Sequence, residues 1–332
     1  MSQDTIPDLL TTIPQAAEAI RQARTMVFAC HVNPDGDALG SMIGLALALA
    51  PLNKEITLLS ADGVPEMYKF LPGSELVRQG SETSEFDLAI VLDSGDLSRV
   101  GDSVLPIVQR AAKTIDVDHH VTANSFGDIR VLNSKAASTS EIVYALVQYM
   151  DLPIDKAIAT CLFTGVITDT GSFRFQNVTP NTFHVAAALL EHGAPPAYIS
   201  ENVFENRSFA ATKMLGATLS TLTSTPDGRV IWAHAALEDF IALGATDEDT
   251  EGIVNYVRGV RNAEVGVFFR EMPGGSVRIS LRSRDTVNVA EIAQQFGGGG
   301  HKMAAGCSVA HPLAKAESLV IGAVIAALPA VS

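Results

Sequence analysis

The sequence predicts an α/β protein: a mostly parallel, doubly wound sheet followed by a smaller α+β domain. Three observations carry this. Across the first 190 residues, short continuous apolar segments alternate with helical ones, the pattern of strands covered on both faces. From about residue 215 the pattern changes to paired strands closed by Pro/Gly turns. The chain has 332 residues, more than one ordinary domain needs.

In order along the chain, TMVFACH, KEITLLSA, FDLAIVLDS and KTIDVDHH read as strands, rich in Val, Ile, Leu and Phe. SMIGLALALAPL and ASTSEIVYALVQYM read as helices between and after them. Ligands of such a sheet gather outside the carboxyl ends of its strands, where His31, Asp93 and His119 fall. EHGAPPAYISENVFENRS, with its glycine, two prolines and polar residues, reads as a connector. The expected division is therefore a domain over 1–190, a connector and hinge over 191–214, and a second domain over 215–332. In that second domain TSTPDGRVIWAHA forms a hairpin turning at Pro226-Asp227-Gly228, and AEVGVFFREMPGGSVRISLRSR another at Pro273-Gly274-Gly275. SLVIGAVIAALPAVS is apolar but shorter than the roughly 18 residues of a membrane span, so it is expected to be a buried helix.

Composition narrows the function. Hydrophobic residues make up 47% and charged residues 18%, a globular balance. Lys and Arg total 23 against 37 Asp and Glu, a net charge of −14 that repels long nucleic acid. Short anionic ligands remain acceptable if bound cations or local arginines receive them. Cys30, Cys161 and Cys307 are odd in number and far apart, which fits a reducing compartment and excludes cysteine-rich zinc modules. No secretory signal is visible, so a cytoplasmic protein without membrane partners is expected. Self-association as a homodimer stays open.

HVNPDGDALGS crowds His31, Asp35 and Asp37 onto a strand tip. Carboxylates suit hard divalent cations, and imidazole widens the choice toward manganese, iron or zinc. Gly36 and Gly40 let the turn bend and the backbone approach a ligand. The same residues also suit an ordinary strand-to-helix turn. VLDSGD delivers Asp93 to the same rim, IDVDHH delivers Asp118, His119 and His120, and LFTGVITDTGSFRF exposes Asp169. Each alone fits a helix cap or a polar turn. Together, Asp35, Asp37, Asp93 and Asp169 would repel one another unless cations neutralised them, and two divalent ions do so.

Near the C-terminus, GGGGHKMAAG follows the helical stretch VNVAEIAQQF. A run of exposed glycine N–H groups makes a nest for an anion, with His301 adding a donor; a flexible linker is the alternative. Arg282 and Arg284, two apart in ISLRSR, fit either phosphate recognition or a solvated strand face. Arg99 and Arg174 lie near the motifs and fit structural ion pairs equally well.

In this order and spacing, HVNPDGDALGS, LDSGD, DHH, TDTGSFRF and GGGGHKMAAG resemble the motifs of the DHH phosphoesterase family and of its associated C-terminal substrate-binding domain. The resemblance spans most of the chain. It implies one metal held by His31, Asp35 and Asp93, and a second held by Asp37, Asp93, His119 and Asp169, with Asp93 bridging. Manganese is the ion it implies. It makes Asp118 an orienting neighbour, His120 a group that contacts the scissile phosphate or assists proton transfer, and Arg282, Gly298, Gly299, Gly300 and His301 substrate contacts. Within the family, the absence of transmembrane and sensory segments and the short acidic chain point to the compact oligoribonuclease and pAp phosphatase group. The expected substrates are RNA of a few nucleotides, linear dinucleotides and 3′-phosphoadenosine 5′-phosphate (pAp). Two other readings stay open: a phosphatase for a different small metabolite, or a single-strand DNA exonuclease. A non-catalytic RNA-binding module is more remote, since a pure binder has no need for two metals.

Overall fold

The computed structural model describes residues 9–83, 85–120, 126–284 and 286–329. The chain divides into two compact units, residues 1–206 and 207–332.

The first unit is a six-stranded, wholly parallel sheet in the order β3-β2-β1-β4-β5-β6. Its strands are β1 (Thr25–Ala29), β2 (Glu55–Leu59), β3 (Val77–Arg78), β4 (Leu88–Leu92), β5 (Thr114–Asp118) and β6 (Ile129–Leu132). The four strands read from the sequence are β1, β2, β4 and β5. Alternation splits each central strand between two cores. Phe28, Ile90 and Val117 face the larger one, built with α1 (Leu9–Gln22), α2 (Gly36–Leu49), α4 (Thr139–Tyr149), α5 (Lys156–Asp169) and α6 (Pro180–Glu191). Val27, Ala89 and Val91 face the smaller one, covered by α3 (Leu105–Val108) and its approach. The winding is double but uneven. Strand order reverses between the adjacent β1 and β4, and such a switch point opens a crevice at the strands' carboxyl ends.

Residues 191–214, expected as a connector, are mostly helical. They hold α7 (Pro196–Ser200), a π-helical turn over Glu201–Glu205, and the start of α8 (Phe209–Ser220). Ile199 and Val203 are buried in the first unit's core, so the segment up to 205 is anchored by apolar burial. The break between units falls at 206/207, within that segment.

The second unit carries a mixed sheet in the order β11-β12-β10-β9-β8-β7. Both predicted hairpins are present: β7 (Thr223–Ser224) with β8 (Val230–Ala235), and β9 (Val265–Glu271) with β10 (Val277–Ser283). Gly274 and Gly275 turn the latter with φ of 95° and 83°. β8 and β9 run parallel, joined through α9 (Leu237–Leu243) and α10 (Ile253–Arg258). β11 (Gly299–His301) and β12 (Ala304–Val309) complete the sheet. One face packs against α11 (Val289–Gln294) and α12 (Leu313–Ala327). The apolar C-terminal segment is this last helix, and it is amphipathic in use: Val320 and Val324 are buried while Ile325 is exposed. No helix among the described residues is long and apolar enough to cross a membrane.

Candidate metal centre

The helix pair α2 and α5 sets the centre's floor. Gly36, Gly40 and Gly44 form one stripe of α2, and a Cβ at Gly40 would lie 2.4 Å from the Cys161 carbonyl oxygen of α5. Gly165 of α5 answers from the other side, since a Cβ there would lie 2.4 Å from Asp37 Oδ1. Gly36 and Gly40, expected to serve turn geometry and ligand approach, lie inside the helix and serve close helix packing. That approach brings Asp37, in the first turn of α2, beside Asp169, the last residue of α5.

Asp35 N-caps α2 with Oδ1, which accepts from the N–H groups of Asp37 and Ala38 at 3.0 Å each. Its Oδ2 stands 3.9 Å from His31 Nε2. The turn reading and the ligand reading of HVNPDGDALGS therefore hold together. Asp93 does not cap the turn that follows it; Asp96 does, accepting from the Ser98 N–H. Asp93 is buried with left-handed backbone, φ 58°, a strained conformation that aspartate tolerates and functional sites favour.

Both imidazoles expected to bind metal are set the same way. His31 Nδ1 lies 2.8 Å from the Val32 carbonyl and His119 Nδ1 lies 3.3 Å from the Ala136 carbonyl. A proton on Nδ1 answers each carbonyl and leaves the Nε2 lone pair for a ligand. His31 Nε2 is 3.7 Å from Asp93 Oδ2; His119 Nε2 is 3.2 Å from Asp169 Oδ2 and 3.5 Å from Asp93 Oδ1. His119 Nε2 is fully buried and has no hydrogen-bond partner among the described residues, an orphaned acceptor facing carboxylates. Ligand atoms of His31, Asp35 and Asp93 converge within 4.8 Å, as do those of Asp37, His119 and Asp169. Carboxylate oxygens with imidazole nitrogens suit a divalent cation of the manganese, iron or zinc kind.

Charge says the same. Burial pushes Asp93 well above the usual carboxylate range, and the charges of Asp37, Asp35, Asp118 and Asp169 push it further. Asp169 is raised by burial and then by Asp37, Asp35 and Asp118. Bound cations would reverse both effects.

His120 belongs to a different pair. Its Nδ1 lies 2.6 Å from Asp118 Oδ1, which also accepts its backbone N–H at 2.9 Å. Burial opposes an imidazolium at His120, but the hydrogen bond and charge of Asp118 outweigh it and raise its pKa. Asp118 also accepts from the Gly95 N–H, tying the loop after Asp93 to the end of β5.

Two residues of this centre escaped sequence reasoning. The first N–H groups of α4 point at Asp37: Thr139 N–H donates to Oδ2 at 2.6 Å and Ser140 N–H to Oδ1 at 3.0 Å. Thr139 Oγ1 donates to Asp93 Oδ1 at 3.0 Å. The helix-start signal was readable in STSE, where Ser138 caps the Glu141 N–H; its partner more than a hundred residues away was not.

In the second unit, register places Arg282 opposite Ala304 on β12, and His301 of β11 opposite the same Ala304, so both fall on one sheet face. The His301 side chain lies outside the described residues. Gly299 pairs with Gly306 on that face. The expected glycine nest is reduced: the Gly297 and Gly298 N–H groups donate to the Gln294 and Ala293 carbonyls and close α11. Gly298 is required by packing, because a Cβ there would lie 2.1 Å from the Gly306 carbonyl oxygen. Arg284 follows the strand and holds the Ala263 carbonyl at 2.8 Å, a structural role.

Comparison with known proteins agrees with this architecture. A family model described as the DHH family, N-terminal domain, matches residues 25–166, and one described as the DHHA1 domain matches 232–324. The chain is 36% identical over 296 residues to the bifunctional oligoribonuclease and PAP phosphatase NrnA of Thermus thermophilus, covering 88% of this chain and 87% of that one. It is 28% identical over 293 residues to the protein of the same name from Bacillus subtilis, covering 86% and 89%. The crystal structure of an exopolyphosphatase-related protein from Bacteroides fragilis matches with a TM-score of 0.90 at 27% identity, covering 98% of each chain.

Proposed function

Since the chain belongs to the DHH family, we propose that it is a metal-dependent phosphoesterase that hydrolyses oligoribonucleotides of a few residues, linear dinucleotides among them, and removes the 3′-phosphate of pAp. The single observation that carries this reading is the convergence of the His31–Asp35–Asp93 and Asp37–His119–Asp169 donors at the switch point of the sheet. The names of the relatives supply the substrate class.

In this reading His31, Asp35 and Asp93 hold one divalent cation, and Asp37, His119 and Asp169 hold a second, with Asp93 shared. Bound there, two cations, Mn²⁺ by preference, supply charge neutralisation at the phosphate and lower the pKa of water. The chain's own groups do the rest. Thr139 and Ser140 hold Asp37 by its two oxygens, and Thr139 holds Asp93, so the carboxylates keep their positions as charge changes around them. Asp118 orients the His120 ring through Nδ1, and His120 is read as the group that meets the scissile phosphate and passes a proton to the departing ribose oxygen. In the second unit, Arg282, Gly299 and His301 are read as further substrate contacts. Three unpaired, buried cysteines support action in the reducing cytoplasm.

The test is a substrate panel. Manganese-loaded protein is offered a 5-mer RNA, a linear dinucleotide, pAp, inorganic polyphosphate and a long single-stranded DNA. Turnover of the first three with little of the last two is expected; processive cutting of the DNA, or turnover of none of the nucleotides, overturns the assignment.

A further inference from the structure

We propose that Arg99 is a substrate contact, taking oxygens of the scissile phosphate alongside His120 and favouring a terminal, dianionic phosphate over an internal diester. This rests on the phosphoesterase reading and refines it.

Arg99 lies in a short 3₁₀ turn, Leu97–Val100, directly after the Asp93 loop. The turn is anchored on both sides. The Arg99 carbonyl accepts from the Val32 N–H at 2.7 Å, one residue after His31, and the Arg99 N–H donates to Asp96. Gly101, with φ 88°, seats the turn's end so closely that a Cβ would lie 2.5 Å from Ala61 Cβ and 2.8 Å from Val32 Cγ1. The side chain is held as well: Nη1 donates to the carbonyl of Ser94, the residue after Asp93, at 3.3 Å. The turn's backbone is thus fixed to the strand end that carries His31, and its guanidinium is held on the loop that follows Asp93.

Its surroundings are acidic, yet it pairs with no carboxylate. Asp35, Asp37, Asp93, Asp118 and Asp169 all contribute to this centre, and Arg99, which is only half-exposed, forms no ion pair with any described residue. A guanidinium has five N–H donors in a fork matched to phosphate oxygens, and one is accounted for here. The loop that holds it also reaches His120: Gly95, next to Ser94, donates its N–H to Asp118, the carboxylate whose other oxygen meets His120 Nδ1 at 2.6 Å. Arg174 offers no such case, being exposed and turned onto its own loop, with Nε on the Gly171 carbonyl at 2.6 Å. The 3′-phosphate of pAp carries about one more negative charge than an internal diester at neutral pH, by the usual second ionisation near pH 6, so an extra cation benefits it more.

The test compares pAp with a linear dinucleotide in wild type, Arg99→Gln and Arg99→Lys, all manganese-loaded, with melting temperature and manganese affinity measured on each. Arg99→Gln is expected to lose about a hundredfold in kcat/KM on pAp and about tenfold on the dinucleotide, with manganese affinity unchanged. Arg99→Lys, which keeps the charge, is expected to recover part of the pAp loss. Equal losses on both substrates in Arg99→Lys, or wild-type rates in Arg99→Gln, overturn the inference. Should Arg99→Gln melt early, the pAp-to-dinucleotide ratio of Arg99→Lys decides alone. A wild-type protein inactive on both substrates would instead overturn the functional reading beneath it.

Discussion

Asp93 sits in a backbone conformation that most residues avoid, is buried, and is surrounded by carboxylates that raise its pKa. Each feature costs stability, and in the proposed arrangement two cations sharing Asp93 would offset the charge repulsion. Replacing it by asparagine keeps the shape and removes the charge. Asp93→Asn is therefore expected to lower kcat by at least about a thousandfold while the metal-free protein melts no earlier than wild type; a variant within tenfold of wild type would contradict the bridging role. Asp116 gives a different prediction. It is buried beside Asp118, its Oδ1 has no hydrogen-bond partner among the described residues, and burial first, then the Asp118 charge, push its pKa up to about 8 against an ordinary 3.8, with Arg130 opposing. Its folded form holds the proton more tightly than the unfolded chain. Its stabilising effect is therefore present below about pH 4 and lost as pH rises to about 8. Asp116→Asn should flatten the fall in denaturation midpoint across that window, and an unchanged slope would refute it. At this scale the sequence was most informative: the residues that converge were readable because each ends a strand or helix. Which oxygen caps and which faces the imidazole, as at Asp35, was not readable.

Among the elements, α2 and α5 matter most, because their close approach sets the spacing of Asp37 and Asp169. The glycines of α2 were visible but assigned to the turn, since a sequence does not reveal which backbone comes to meet them. Their consequences differ. At Gly40 a methyl group would meet the Cys161 backbone, which cannot yield, whereas at Gly44 it would meet the end of the Leu162 side chain at 2.8 Å. Gly40→Ala is expected to cost about 1–3 kcal/mol and to weaken manganese binding. Gly44→Ala should cost under about 1 kcal/mol, because Leu162 can shift and alanine favours the helix. Chemical denaturation of both variants checks this; equal effects would contradict the packing account. The helical content of the 191–214 segment was not legible: its glycine and prolines signal breaks, but burial of Ile199 and Val203 against the first core holds the part before 206 as helix.

For the whole molecule, the two-unit order and both sheet types were legible from hydrophobic periodicity and turn chemistry, while the 206/207 division depended on tertiary burial. The acidic balance and the raised carboxylates set a stability response. Asp37, Asp93 and Asp169 all have raised pKa values, from burial first and from neighbouring carboxylates as well. Without metal, stability falls as pH climbs through those values; with metal, the ionised forms are the ones bound. At a fixed Mn²⁺ concentration the gain in stability should therefore widen from pH 5 to pH 8, reaching about 2.7 kcal/mol per site where that concentration is a hundredfold over Kd. A gain that shrinks with pH would contradict the electrostatics. The most direct test of the central claim is a titration of chelator-stripped protein with Mn²⁺, following bound metal and dinucleotide hydrolysis together. The account predicts activity that rises with occupancy and saturates at two ions per chain, with Asp93→Asn losing both. Full hydrolysis by the stripped protein, or two bound ions with no hydrolysis of any short nucleotide, would contradict it.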